Sequence, residues 1–332
     1  MPVLVTGATG FAGGHLALRL RRMGHPVRAL VRPTAEVERL RAAGVELVPG
    51  DLREAADVAK AARGVERIYH IGAVFRTASH PDSYYRDVNV GGTINVLDAA
   101  QKHGVGRTIH CSTVGVHGDV KEVPCTEETP FNPGDIYQET KLEGELKAQA
   151  AFKSGLSGVV FRPAGMYGPG DLRFLKLFRS IDAGRFVMFG PGTTWYHVVY
   201  ADDLTDGILL CGEHPAAPGG TFIIAGEHWT TLNEWVGEIA RSLGAPPPRW
   251  RLPYWPLLAG SVLCEAVCRP FGIEPPLYPR RAAFFIKHRA FSIERARTVL
   301  GYAPKIDLRE GVRRTAAWYV EQGLVTRRGK AA

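Results

Sequence analysis

The stretch from Val3 to Arg22, VLVTGATGFAGGHLALRLRR, constrains the fold more than any other part of the chain. Val3-Leu4-Val5 is a short apolar run of the kind that forms a fully buried parallel strand. Thr6 to Gly13 then crowds three glycines into one tight turn. A helix follows, with Phe11, Leu16 and Leu20 on one face and Arg19, Arg21 and Arg22 off it. Glycine suits such a turn because the backbone needs unusual φ/ψ, and because a Cβ would hold it away from a pyrophosphate. The open N–H groups and the positive end of the helix then hold the phosphates. An ordinary Gly-rich turn has the same spacing, but a strand before it and a helix after it favour a dinucleotide site. On that reading Gly7, Thr9, Gly10, Phe11, Ala12 and Gly13 bind the dinucleotide.

Beyond the turn, strand and helix patterns alternate. Val27 to Val31 is a second strand, whose end faces the adenosine ribose in a dinucleotide fold. An acidic residue there would bind the 2′-OH of NAD, but the chain has Val31 and Arg32, and its first acidic residue is Glu36. A guanidinium suits the 2′-phosphate of NADP by charge and bidentate geometry, so NADP is expected, with NAD as the alternative. A solvated strand end is the other reading of Arg32. Val45 to Val48 is a third strand, ending in Gly50-Asp51-Leu52, where Asp51 either accepts from the adenine amino group or caps the next helix. Arg67 to Ala73 is a fourth strand, whose small end lets backbone approach a cofactor. Asn89 to Gln101 reads as a helix and Arg107 to Cys111 as a fifth strand. Such alternation builds a doubly wound parallel sheet with ligands at the carboxyl ends of its strands.

Length and composition set the remaining bounds. With 332 residues the chain can bury one main α/β domain and a smaller appended lobe. The formal net charge is +8, but the basic residues are scattered as pairs such as Arg21-Arg22, Arg280-Arg281 and Arg327-Arg328. No basic stripe is interleaved with aromatics, which argues against nucleic-acid binding. An anionic ligand, a membrane surface or a plain solvated surface all fit the excess. The five cysteines form no metal-ligand spacing, which points to a reduced cytoplasmic protein without structural zinc. Cys264 and Cys268, one helical turn apart, read as a buried face. The first strand begins at once, leaving no room for a signal peptide.

The fifth strand runs into Ser112-Thr113, placing two hydroxyls at the carboxyl edge of the sheet. Tyr137 and Lys141 lie four residues apart in a helical segment and so share a face. A phenol is a poor base near neutral pH unless its phenolate is stabilised, and a neighbouring ammonium with an oxidised nicotinamide does this. A threonine hydroxyl can then orient the substrate oxygen.

With these motifs in this order, the chain resembles the extended branch of the short-chain dehydrogenase/reductase superfamily, the NAD-dependent epimerase/dehydratase group. The matching residues are Thr6 through Gly13, Asp51-Leu52, Asn89, Ser112-Thr113 and Tyr137 with Lys141. Arg162-Pro163-Ala164-Gly165-Met166-Tyr167-Gly168-Pro169-Gly170 and Leu300-Gly301-Tyr302-Ala303-Pro304 follow. The resemblance implies a Rossmann-type α/β fold, a doubly wound parallel sheet with a smaller C-terminal substrate lobe. Residues 1–170 would form the dinucleotide domain, joined again by segments around 190–225, and 171–332 mainly the lobe. It implies Tyr137 as the acid/base, Lys141 on the nicotinamide ribose, and Thr113 as the Ser/Thr member. Leu52, Ala73, Pro163 and Met166 would line the cofactor, and Ser112 and Thr113 would face substrate. A homodimer built on the Tyr137 helix would follow the family habit. One departure is His117, where the family often has Tyr.

The second half bears on the substrate. Helices are expected around Phe174–Ala183 and Leu232–Leu243. Nucleotide-sugar enzymes of the branch carry an Arg shortly before an acidic pair, to hold a diphosphate. Here Thr193 to Asp203 has aromatics in that place, and a buried diphosphate without an Arg would be poorly compensated. His197 is a candidate substrate contact, with a core or surface His as the other reading. The segment Trp250 to Phe271 has an uncharged run from Leu252 to Cys264, too short to span a bilayer. It reads as a lid over a hydrophobic substrate, a membrane-surface contact or a buried core helix. Apolar lids of this kind look like those of the 3β-hydroxysteroid dehydrogenase and dihydroflavonol reductase relatives. The expectation is an NADP(H)-linked oxidoreductase for a secondary alcohol or ketone on a hydrophobic, sterol-like or polycyclic substrate. Its rivals are a nucleotide-sugar epimerase or dehydratase with tightly held NAD, and a redox sensor that binds dinucleotide without turnover.

Overall fold

The computed structural model describes residues 1–75, 80–271, 273, 275 and 277–326; the pair Arg327-Arg328 lies outside the described residues. The first half runs β1 (Val3–Thr6), α1 (Phe11–Arg22), β2 (Val27–Val31), α2 (Glu38–Ala42), β3 (Glu46–Pro49), α3 (Ala55–Ala62) and β4 (Arg67–His70). A short α4 (Asp82–Arg86) passes through a π-helical turn, Asp87–Gly91, into α5 (Gly92–Lys102). After β5 (Arg107–Cys111), a 3₁₀ turn at Val114–His117 precedes α6 (Ile136–Lys153) and β6 (Gly158–Pro163).

The second half opens with β7 (Gly165–Tyr167), α7 (Leu175–Asp182), β8 (Val187–Phe189), β9 (Trp195–Tyr196), β10 (Val198–Tyr200) and α8 (Ala201–Glu213). Next come β11 (Thr221–Ile224), β12 (Thr230–Thr231), α9 (Leu232–Leu243), β13 (Trp250–Leu252) and α10 (Tyr254–Cys268). Three helices close the described chain: α11 (Pro279–Ala282), α12 (Glu294–Leu300) and α13 (Leu308–Glu321).

Seven strands form one parallel sheet in the order β11-β6-β5-β4-β1-β2-β3. Parallel strands need both faces covered, and the burial shows why these sequences comply. Every residue of β1 and β6 is buried, and neither strand alternates. Leu16, Ala17 and Leu20 of α1 pack on one face of the sheet with Val5, Ala29, Tyr69, Phe161 and Ile208. Val58, Ala61, Val96 and Ala100 of α3 and α5 cover Leu4 and Ile68 on the other. The order reverses between β1 and β4, and the crevice at such a switch point is where a doubly wound sheet binds ligands.

A second core gathers Trp235, Val236 and Ile239 of α9 with Phe178 of α7 and Tyr319 of α13. It is not cleanly separate in sequence. Strand β11 pairs with β6, and Phe291, Ile293, Leu300 and Tyr302 pack into the sheet core. The Tyr302 hydroxyl donates to the Ala225 carbonyl at 2.9 Å, which explains the Leu300-Gly301-Tyr302 motif as a clasp. The expected buried face at Cys264 and Cys268 is corrected: both are only half-buried. They lie on α10, where Ser261 alone is buried, so the core-helix reading of this segment is corrected as well.

Candidate active site

The glycine loop fits a dinucleotide for reasons visible in the backbone. Gly7 has φ +72, and a Cβ there would come within 2.6 Å of the Gly72 nitrogen. A Cβ on Gly13 would sit 2.3 Å from the Gly7 carbonyl oxygen. The turn therefore holds β1, the loop after β4 and α1 closer than any side chain permits. Gly10 begins α1 with no side-chain cap, and no acidic residue stands in the first turn. Thr9, Phe11 and Ala12 complete this anion-ready helix start. Arg173, ion-paired with Asp171 at 2.6 Å, stacks over the Phe11 ring at 5.0 Å.

A buried hydrogen-bond chain links that loop to the helix of Tyr137. The Gly72 N–H donates to Thr6 Oγ1 at 3.2 Å, and the Thr6 hydroxyl donates to His70 Nδ1 at 2.8 Å. His70 Nε2 donates to Thr93 Oγ1 at 3.1 Å, which donates to the Asn89 carbonyl at 2.7 Å. Each hydroxyl has one proton to give, so this direction fixes the Nε2–H tautomer of His70. Complete burial pushes the His70 pKa down to about 3, and the charge of Lys141 adds to the effect. The Asn89 side chain then accepts from Val74 N–H at 2.8 Å and donates to Thr140 Oγ1 at 3.0 Å. Thr140 in turn donates to the carbonyls of Ile136 and Tyr137. Val74, next to Ala73, is thereby tied to the first turn of α6.

Helix α6 starts at Asp135, whose carboxylate accepts from Gln138 N–H at 3.0 Å. Its inner face is Thr140, Lys141, Gly144, Glu145 and Ala148, and Gly144 allows close approach to Asn89. Tyr137 is half-buried, with the Phe75 ring edge-on at 5.1 Å. Lys141 is buried one turn away, its Nζ donating to the Cys111 carbonyl at 2.5 Å. Burial lowers the Lys141 pKa, partly offset by Cys111 and Glu145. Thr113 is half-buried and accepts the Gly115 N–H at 3.0 Å, which leaves its own proton to point elsewhere. All three lie at the carboxyl edge of the sheet, where β5 ends and α6 begins.

Ser112 is not free for substrate. It is buried and donates to the Glu145 carboxylate, which also accepts from Arg162 through Nε at 3.1 Å and Nη2 at 2.5 Å. The Glu145–Arg162 pair is nearly inaccessible, with side-chain exposures of 0% and 2%. His117 Nε2 accepts from Arg162 Nη1 at 3.0 Å, so the histidine that departs from the family pattern belongs to this cluster. His197 is corrected in the same way: it is buried, its Nε2 lies 2.9 Å from the Gly226 carbonyl, and its Nδ1 accepts from Phe291 N–H at 3.4 Å. Both ring nitrogens serve the backbone, so the core reading holds.

At the adenosine end, the Arg32 side chain is exposed and makes no hydrogen bond or ion pair among the described residues. Asp51 does not cap α3, whose first residue follows Glu54. Its carboxylate instead accepts from Arg53 Nε at 3.1 Å and Nη2 at 2.9 Å, and these bonds lower its pKa. Leu52 packs against Gly72, where a Cβ would stand 2.7 Å from its Cδ1. Pro163 ends β6, and Met166 lies in β7, which pairs with β10 outside the seven-stranded sheet. Arg53, Arg173, Glu145 and the Thr6–His70–Thr93 chain were not anticipated. A charged Arg162 inside an apolar strand was the readable signal for a buried partner.

A parallel sheet with an uncapped glycine loop at its switch point is the frame of a dinucleotide-dependent oxidoreductase of the extended short-chain dehydrogenase/reductase type. The chain belongs to the NAD dependent epimerase/dehydratase family, matching it over residues 3–225. Sterol demethylase protein B of Methylococcus capsulatus is 30% identical over 98% of this chain and 100% of its own. The 3beta-hydroxysteroid-dehydrogenase/decarboxylase isoform 1 of Arabidopsis thaliana is 31% identical over 94% of this chain and 78% of its own. Among solved structures, the dTDP-glucose 4,6-dehydratase DesIV from Streptomyces venezuelae, with NAD and TYD bound, superposes with a TM-score of 0.78. That match has 26% identity and covers 98% of this chain and 99% of the other.

Proposed function

We propose that the protein interconverts a secondary alcohol and a ketone on a hydrophobic, sterol-like or polycyclic substrate, with NADP(H). The carrying observation is the buried ammonium of Lys141, pinned one helical turn from the half-buried Tyr137. A bound nicotinamide, held through its ribose by Lys141, would supply the acceptor for the hydride of the carbinol carbon. Tyr137 takes the hydroxyl proton in the oxidative direction. Thr113 donates to the substrate oxygen: its oxygen accepts from Gly115 N–H, and its one proton remains to give. Lys141 keeps two protons beyond the one given to Cys111, enough for ribose hydroxyls. Arg32 supports NADP as an exposed guanidinium just past the end of β2, with no hydrogen bond or ion pair among the described residues. The sterol-related names of the relatives support the substrate class.

A second reading, a nucleotide-sugar dehydratase with retained NAD, draws on one feature. Arg289 stacks over Tyr196 at 5.7 Å and supplies from another segment a cation that the Thr193–Asp203 stretch lacks. The test is nicotinamide absorbance with each oxidised cofactor and a panel of hydroxysteroids and other hydrophobic secondary alcohols. Net reduced cofactor, abolished by Tyr137→Phe, is expected. Retained cofactor with no net reduction on any alcohol would move the assignment to the nucleotide-sugar reaction.

A further inference from the structure

Helix α10 turns its apolar side to water. Trp255, Leu258, Val262, Leu263 and Val267 fall at the spacing of one helix face, and all are exposed, Trp255 at 71% and Leu263 at 66%. Trp250 and Phe271 extend the face at its two ends, at 67% and 74%. The inward side is short of large apolar groups: Ser261 is buried, while Leu257, Cys264, Glu265 and Cys268 are half-buried. A surface helix normally shows the opposite pattern, and a contiguous patch of this kind marks a docking surface. The patch is held firmly at one end: β13 pairs with β8, and Gly190 N–H donates to the Leu252 carbonyl at 2.9 Å.

Charge selects the occupant. Residues 249–289 hold seven of the chain's 41 Lys and Arg but only two of its 33 Asp and Glu. Arg249 is exposed, and the Arg251 guanidinium binds the Pro191 carbonyl and Asn233 Oδ1, neither of them a carboxylate. At 15 residues, α10 is about 22 Å long, short of a hydrocarbon core of about 30 Å. No helix among the described residues is long and apolar enough to cross a membrane. We propose that α10 lies flat in the headgroup layer of an anionic lipid bilayer, its Trp255–Val267 stripe facing the acyl chains and the flanking arginines on lipid phosphates. This holds whichever reaction the active site performs.

Flotation of the full chain with vesicles tests it, using phosphatidylcholine alone and phosphatidylcholine with about a third phosphatidylglycerol. Binding is expected to the anionic vesicles, weaker to the neutral ones and weaker at high salt. Trp255→Ser with Leu263→Ser should lower the partition coefficient about a hundredfold, about tenfold for each side chain. Arg249→Glu should lower it about fivefold or more. These side chains face solvent, so melting curves should stay unchanged and separate lost binding from lost folding. No binding to either vesicle, or undiminished binding by the double variant, overturns the proposal. So does a wild-type dimer that the double variant dissociates without any vesicle binding, which would assign the face to a second copy.

Discussion

The ammonium of Lys141 donates to the carbonyl oxygen of Cys111 at 2.5 Å, tying the helix of Tyr137 to the last residue of β5. The same side chain is thus both a structural tie and a charge beside the acid/base. The two roles separate on substitution. Lys141→Met should lower turnover by about a hundredfold or more, the scale of a lost proton-transfer partner. Stability should change by no more than about 1 kcal/mol, because the lost hydrogen bond is offset by release of a desolvated charge. Kinetics and a thermal melt together check this. Unchanged turnover with a large drop in stability would leave Lys141 a purely structural tie.

Arg32 gives the cofactor prediction. Arg32→Ala should weaken NADP binding by about tenfold or more, the scale of one charge-assisted contact to phosphate, and leave NAD binding nearly unchanged. Titration by tryptophan fluorescence or calorimetry reads both affinities. Equal losses for the two cofactors would end the NADP assignment.

The Glu145–Arg162 pair should behave as buried ion pairs do. Arg162→Met leaves a buried carboxylate hydrogen-bonded by Ser112 and Gln149 among the described residues, with the Lys141 ammonium as a more distant charge, and should cost about 3–5 kcal/mol. Removing both charges with Glu145→Gln and Arg162→Met should recover a large part of that loss. Urea unfolding of the three variants measures it, and simple additivity of the two single losses would refute the coupling.

Acid should destabilise the fold through its buried histidines. Burial holds His70 at about 3 and His197 at about 4, both below the ordinary histidine value of 6.5. Below about 6.5 the unfolded chain takes up protons that the native rings refuse, so stability falls as pH falls and is regained as pH rises. Each ring contributes up to about 1.4 kcal/mol per pH unit in that window. Urea midpoints between pH 7.5 and 5 should show the slope, and His197→Asn should flatten it. A midpoint independent of pH would mean that these rings are not held neutral.

Local chemistry made most of the architecture readable. The Val3–Arg22 unit, the fifth strand and the helix Leu232–Leu243 fold as their patterns suggest, because burial on both sheet faces and a capping box at Thr231 and Glu234 are short-range signals. The site was readable as positions along a sheet edge, but not as partners. Nothing local tells that Ser112 will turn inward to Glu145, 33 residues away, or that His197 will spend both nitrogens on Gly226 and Phe291. Those choices are made by tertiary neighbours that satisfy buried polar atoms. The orientation of α10 was hidden for a related reason: an apolar run specifies that a face avoids water, not which body covers it.

The pairing of β11 with β6 limits how the molecule can be taken apart. A fragment ending at residue 170 would leave β6, buried along its whole length, as an open edge available to any other strand. Residues 291–302 would be missing from the same core. Exchange of substrate specificity between relatives is therefore not a matter of joining one half to another. The transferable material comes as two insertions, one before β11 and one between β11 and Phe291, with the recipient keeping its own strand and clasp.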